Sequence, residues 1–179
     1  MKSMELSTAI KLIDSPYLNK DTSETWADLG CGNGLFTKAL ATLLADGSTI
    51  YAIDKADTFR ADISISKSRT NIIFHKQDIE KQELELPLLN GILMANVLHY
   101  VKDKKPFIEK LKQILKPDAS FLIVEYDTYQ PVPHWVPFPI SFTAATELFR
   151  QAGYKKIEKL GSQASLYQHS NLYSAIVTP

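Results

Sequence analysis

Asp28-Leu29-Gly30-Cys31-Gly32-Asn33-Gly34 sets three glycines at alternate positions where a predicted strand, Thr25 to Leu29, gives way to a helical stripe beginning at Leu35. Glycine at every second position lets the backbone take positive φ and brings bare main chain close to a ligand, with the N–H groups of the next helix aimed at it. The spacing predicts a nucleotide-cofactor loop between strand and helix. It is not the dinucleotide fingerprint Gly-x-Gly-x-x-Gly, because the third glycine comes one residue early and Leu35 fills the reserved place. An acid two positions ahead of the first glycine is also foreign to that fingerprint, and Asp28 stands there. Such a carboxylate repels a pyrophosphate and suits a zwitterionic amino-acid tail.

Outward from the loop, the apolar residues alternate between helical and strand periods. Leu6, Ile10 and Ile13 lie at helical spacing and stop at Ser15-Pro16, so a short amphipathic helix over about 4–14 precedes the core as a lid or a brace. Leu35, Phe36, Ala39, Leu40, Leu43 and Leu44 form a 3.6-period stripe closed by Asp46-Gly47. Ser48 to Ile53 reads as a strand ending in Asp54, followed by a weaker helical stretch over 56–66 and a third strand, Asn71 to Gln77. Leu88-Leu89-Asn90-Gly91 carries a turn signal before a fourth strand, Gly91 to Ala95. Phe107, Ile108, Leu111, Ile114 and Leu115 make the next helix, with Asp103 near its start, Pro106 in its first turn and Lys116-Pro117 closing it. A fifth strand, Ser120 to Glu125, precedes a helix capped by Ser141 or Thr143, running through Ala152 and stopped by Gly153. Strand-like runs at 154–160 and 171–177 finish the chain. This alternation describes a doubly wound α/β sheet with parallel helix-linked strands and a β-hairpin addition at its end.

With 179 residues, 45% of them apolar, the chain suits one well-buried core, so residues 1–179 are expected to form a single domain. Lys and Arg number 20 against 20 Asp and Glu, and no dense basic run appears, which disfavours nucleic-acid partners. The only cysteine, Cys31, cannot close an intramolecular disulfide, and no Cys/His spacing suggests a metal. Nothing approaches the roughly 18 consecutive apolar residues of a spanning helix. A metal-free cytoplasmic protein without membrane association is the expectation.

The run Asp-x-Gly-x-Gly-x-Gly at residues 28–34 resembles motif I of the S-adenosylmethionine-dependent methyltransferases with a Rossmann-like (class I) fold. Ala95-Asn96-Val97-Leu98-His99-Tyr100 is similar to a segment common in the small-molecule enzymes of that fold. It is not the Asn/Asp-Pro-Pro-aromatic motif of enzymes that methylate nucleobase amines or glutamine side chains. Lys116-Pro117-Asp118-Ala119 resembles the family's Lys-Pro-Gly-Gly-like helix-end turn, with Asp118-Ala119 in place of the glycine pair, and Ala152-Gly153-Tyr154 is a further helix-end likeness. The resemblance covers roughly residues 24–177. It implies a three-layer α/β/α fold whose seven-stranded, mostly parallel sheet has the order 3-2-1-4-5-7-6, with strand 7 antiparallel and Tyr167 to Asn171 joining strands six and seven. It also implies S-adenosylmethionine as cofactor, S-adenosylhomocysteine as product and a small-molecule methyl acceptor.

In an open α/β sheet the ligand lies beyond the carboxyl ends of the strands, where the strand order reverses. Asp54, ending strand two, is placed to accept from both ribose hydroxyls, and its ordinary alternative is a solvated loop acid. Asp78 can accept from an adenine amino group while the backbone N–H of Ile79 donates to the ring; otherwise it is a strand-end acid or helix cap. Lys55 and Ile79 are candidate walls of the adenosine slot, with Gln77 and Lys76 behind them. Asp28 can hold the amino group of the tail while the loop, Gly30, Cys31, Gly32, Asn33 and Gly34, takes its carboxylate; Asn96 ends strand four. Cys31 reads as a small loop residue, since no activating base is evident.

On the acceptor side, Pro131-Val132-Pro133-His134-Trp135-Val136-Pro137-Phe138-Pro139 reads as a stiff extended connection. His134, Trp135 and Phe138 are pocket candidates there, and a rigid linker is the plainer alternative. Tyr17, Tyr126 and His169 are further pocket candidates. His134 and then His99 are the candidate general bases, although a histidine at a strand-to-helix turn is as often structural. The attacking atom stays open among O, N, S and C, and a homodimer is a candidate assembly. Two rivals accompany this reading: a catalytically inactive cofactor-binding module acting as sensor or partner subunit, and an NAD(P)-dependent oxidoreductase.

Overall fold

The computed structural model describes residues 4–60, 69–164 and 171–179. Helix α1 (Leu6–Ile13) leads into strand β1 (Thr25–Leu29), the glycine loop and helix α2 (Leu35–Leu43). Strands β2 (Thr49–Asp54), β3 (Asn71–Lys76) and β4 (Leu89–Ala95) follow, then a single 3-10 turn (Leu98–Tyr100) and helix α3 (Lys104–Lys112). Strand β5 (Leu115–Tyr126), helix α4 (Phe142–Gln151) and strands β6 (Lys156–Ala164) and β7 (Asn171–Thr178) complete the order.

The strands form one seven-stranded sheet in the order β3-β2-β1-β4-β5-β7-β6. β1 pairs in parallel with β2 and β4, and β4 with β5, whereas β7 runs antiparallel to both β5 and β6. Alternation of side chains across the pleat divides the apolar residues between two faces. Ile92, Met94, Phe121 and Ile123 face the layer carrying Ile108, Leu111 and Phe149. Leu93, Leu122 and Val124 face the layer carrying Ile13, Phe36 and Leu40. The strand order reverses at β1 and β4, so the carboxyl ends of these two strands open the crevice in which such sheets bind ligands.

Several element boundaries differ from the sequence expectation for local reasons. α1 is shorter than 4–14, because Glu5 and Asp14 both have extended backbone, and it lies as a brace against α2 and the β6–β7 edge, with Ala9, Leu12 and Ile13 buried. The turn expected at Leu88 to Gly91 is strand: Leu89 pairs with Leu115, and Asn90 Oδ1 accepts from Thr25 N–H and Lys116 Nζ. Gly91 serves close approach, since a Cβ there would lie 2.3 Å from the Trp26 ring. Lys116-Pro117 likewise does not end a helix. Both residues belong to β5, and the proline falls where the register shifts between Leu89 and Gly91, so its missing donor breaks no regular ladder.

The helix expected over 56–66 is absent at residues 56–60, and the remainder lies outside the described residues. Asp54 Oδ1 accepts from Ala56 N–H, and the Phe59 ring stacks on Phe74 at 5.2 Å. The junction expected at Tyr167 to Asn171, and His169 with it, also falls outside the described residues except for Asn171, which starts β7. Ser141, not Thr143, caps α4, its Oγ accepting from Ala144 N–H, and Gly153 stops that helix region with φ 94°. The proline-rich run is not extended. Val132 and Val136 exchange backbone hydrogen bonds of 3.0 and 2.8 Å across Pro133-His134-Trp135, and His134 takes φ 68° in that turn. No described helix is long and apolar enough to cross a membrane.

Candidate functional site

The glycine loop is pinned to the neighbouring strand. Gly30 N–H and Cys31 N–H both donate to Ile53 O, at 2.7 and 3.1 Å, and Gly34, at φ 85°, begins α2 by accepting from Lys38 N–H. Asp54 Oδ2 accepts from Gly32 N–H at 2.9 Å, so the acid that ends β2 also shapes the loop from β1. The three glycines serve different purposes. A Cβ would meet Val97 Cγ2 at 2.6 Å from Gly30 and the Phe59 ring at 2.6 Å from Gly34, whereas Gly32 has nothing within 4 Å. Gly30 and Gly34 allow close packing, while Gly32 has open space at its Cα; the loop N–H groups expected to take the tail's carboxylate are instead bonded within the protein, those of Gly30 and Cys31 to Ile53 O, that of Gly32 to Asp54 and that of Gly34 to Cys31 O.

Beneath the loop, Asp28 is buried, and Thr37 Oγ1 donates to its Oδ2 at 2.5 Å. Burial pushes its carboxyl up to about 7; the Thr37 hydrogen bond opposes this and the Asp54 charge adds to it. Asn96, ending β4, has φ 59°, and its Oδ1 is buried without a hydrogen-bond partner among the described residues. Both residues line a pocket of about 210 Å³ together with Gly30, Cys31, Gly32 and Asn33. A desolvated carboxylate and an orphaned acceptor on two residues that line one space suit a donor that carries positive charge, and an ammonium group supplies both. Burial, followed by the charges of Asp28 and Asp54, pushes the Cys31 thiol upward, which keeps it protonated and unsuited to attack.

A larger cleft of about 410 Å³ shares Gly30 and Asn96 with this pocket. Asp54, Lys55, Gln77, Asp78 and Ile79 line one part of it, which brings together the candidates from the ends of β2 and β3. Lys76 is not among its lining residues. Asp78 Oδ1 accepts from Glu80 N–H and Lys81 N–H, so this carboxylate holds a turn as well as facing the cleft. Lys110 Nζ donates to Ile79 O and Gln82 O, at 3.3 and 2.6 Å, and ties that turn to α3. Val97, Tyr100 and Val101 complete the lining, along with Glu80. None of these four was a site candidate from sequence, although Val97 and Tyr100 lie in the Ala95–Tyr100 segment that carried the resemblance and Val101 follows it.

The acceptor candidates divide. His99 is buried, with Nδ1 2.6 Å from Glu125 Oε2, and Glu125 Oε1 accepts from Val97 N–H at 2.9 Å. Glu125 was missed, although its place as an acid ending an apolar strand gave a signal. The His99 ring lies 4.3 Å from that of Tyr100 and 5.8 Å from that of Tyr126, but His99 itself does not line the cleft. Phe138 N–H donates to His99 O at 2.9 Å, which docks the proline-rich segment beside this turn. His134 and Trp135 are exposed in the 132–136 turn, and neither lines the cleft or the smaller pocket. Tyr17 is misplaced as a pocket residue. Its hydroxyl meets Lys156 and Glu158 near the start of β6, which the pairing through β7 sets level with the amino ends of the parallel strands, opposite the crevice.

Residues 27–123, more than half of the chain, match the family described as a methyltransferase domain. Among curated proteins, the chain is 30% identical over 131 residues to probable polyketide synthase 30 of Dictyostelium discoideum, a match that covers 62% of this chain and 4% of that protein. The chain thus spans only a small fraction of the length of the relatives it matches. A solved S-adenosylmethionine-dependent methyltransferase from Aquifex aeolicus aligns with TM-score 0.66 and 18% identity, covering 98% of this chain and 99% of that one. The CurJ carbon methyltransferase aligns with TM-score 0.65 and 16% identity over 97% of this chain and 58% of its own. At these identities the structural matches are likenesses of fold.

Proposed function

This chain belongs to the methyltransferase domain family, and from that premise we propose that it transfers a methyl group from S-adenosylmethionine to a small molecule whose attacking atom gives up a proton. The buried, unpartnered Asn96 Oδ1 beside Asp28 carries the cofactor assignment, because together they suit the ammonium of an amino-acid tail and would repel a phosphate. Gly32 would leave open space for the tail at its Cα, while Asp54 and the 77–79 segment would hold the ribose and adenine. When bound, the cofactor supplies an electrophilic methyl on sulfur that an acceptor takes by in-line attack. The chain's contribution is placement of the two partners, which alone removes much of the barrier.

Proton removal falls to His99 in this reading, a buried ring 4.3 Å from that of the cleft-lining Tyr100, which has to gain access to the cleft when the acceptor binds. Glu125 at 2.6 Å holds the proton of the imidazole on Nδ1 and leaves Nε2 to receive one. His134, in an exposed turn and without a fixed partner for such a role among the described residues, is the weaker base. The matched polyketide synthases favour an activated carbon of an acyl chain as the attacking atom. Incubation with methyl-labelled cofactor and β-ketoacyl thioesters, beside phenols and amines, tests this. Label in the α-carbon product is expected, with H99N and E125Q each lowering turnover about 100-fold or more. Label on oxygen or nitrogen would replace the acceptor class, and tight cofactor binding without any transfer would favour the inactive module.

A further inference from the structure

We propose that Lys104 is a positioning residue for the acceptor side of the cleft, clamping the segment that carries Phe138 to the turn that carries His99 and Tyr100. The inference rests on the reading of this side as the place where the acceptor binds. Lys104 Nζ donates to Val101 O at 2.8 Å and to Phe138 O at 2.9 Å, so one ammonium joins the cleft-lining Val101 to a residue thirty-four positions after the lysine itself. A second cross-link, Phe138 N–H to His99 O at 2.9 Å, closes the same junction from the other side. The ammonium also stands 5.8 Å from the Phe138 ring centroid, within cation–π reach.

The residue's place in its own helix strengthens the assignment. Lys104 opens α3, whose first turn holds no acid, and the positive end of a helix dipole disfavours a cation there. Partial burial adds to the cost and lowers the ammonium's pKa, with Glu125 opposing that shift. Helix formation therefore gives no reason for a lysine at this position; the two carbonyls do. Without the clamp, the single Phe138 N–H to His99 O bond would be left to join Phe138 to the His99–Tyr100 turn, and a small acceptor would meet a less fixed wall.

Hydrogen exchange on K104M, calorimetric titration with S-adenosylhomocysteine, and steady-state kinetics with the acceptor found by methyl labelling together test the clamp. K104M is expected to raise exchange in peptides covering 134–140 about tenfold. It should leave the S-adenosylhomocysteine Kd within about twofold and raise the acceptor KM about tenfold, with kcat changed less than about threefold. K104R, which keeps donors for both carbonyls, should recover most of the protection and the KM. Unchanged exchange at 134–140, or a cofactor Kd that weakens as much as the acceptor KM, would overturn the clamp. K104L, which likewise lacks a donor, carries the same test if K104M does not fold. Lost protection in K104M, alongside a parent protein that binds S-adenosylhomocysteine but transfers no methyl group, would support the clamp and overturn the transfer reading.

Discussion

Asp28 concentrates the chemistry of the site in one titration. Folded Asp28 keeps its proton up to about 7, against an ordinary value of 3.8. Between those values the folded state binds more protons than the unfolded chain, so the contribution of Asp28 to unliganded stability is lost as pH rises from about 4 to about 7. An ammonium ligand reverses the preference by favouring the ionised carboxylate. S-adenosylhomocysteine affinity is therefore expected to weaken by up to tenfold per unit as pH falls below about 7, a range in which an α-amino group stays protonated. Calorimetric titration across that range should show the slope in the parent protein, a lower affinity in D28N, and little slope remaining in D28N. Asp28, Asp54, Asp78 and Asn96 were legible because each is a polar residue at or just beyond the end of an apolar strand, where a doubly wound sheet collects its ligand contacts. Thr37 and Glu125 were not. Thr37 acts by pairing with Asp28 from a helix, and although Glu125 stands at a strand end like the others, no local pattern records that its partner is His99.

At the scale of the element, the glycine loop separates folding from binding. Alanine at Gly30 or Gly34 combines a positive φ with a clash against Val97 or Phe59, so each substitution should cost more than about 1 kcal/mol. Denaturant melts of G30A and G34A check this. Gly32 shares the positive φ but has open space, so G32A should destabilise by only about 1 kcal/mol while weakening S-adenosylhomocysteine binding further than its stability loss explains. Equal effects of G32A on folding and binding would deny that this backbone faces the ligand. The loop and the core of each strand were readable from period and punctuation alone. The errors fall where tertiary pairing overrides punctuation: Asn90-Gly91 has turn composition, but Gly91 packs against Trp26 and pairs with Ser120, and Pro117 sits at a ladder irregularity rather than after a helix. The proline-rich run misled for a related reason. Four prolines suggest an extended chain, but Val132 and Val136 pair and fold it into a turn.

Across the whole molecule, α/β alternation was legible from the residues, whereas the strand order came from family resemblance, since nothing local tells β4 to cross over and lie beside β1. That crossover makes the crevice and decides which ligand binds it. The cleft and the smaller pocket meet at Gly30 and Asn96, with Asp54 joining β2 to the loop after β1, so a ligand filling both spaces would tie together β1, β2, β3 and β4. A ligand that binds only the folded state stabilises it by about 2.7 kcal/mol at one hundred times its Kd. For a chain of 179 residues, each kcal/mol moves the melting midpoint by about 2–4 °C, so S-adenosylhomocysteine at that concentration should raise it by about 5–11 °C. Adenosine alone would leave Asp28 and Asn96 unpaired and should produce a smaller shift at equal concentration. NAD and NADP bring a pyrophosphate toward Asp28 and should produce none, and a shift with either that equals the S-adenosylhomocysteine shift would restore the oxidoreductase reading. Hydrogen exchange measured alongside the melt should place the added protection at the loop after β1 and the carboxyl ends of β2, β3 and β4, leaving the β6 edge and α1 unchanged, because the ligand's contacts end at the crevice while those elements brace the far side and edge of the sheet.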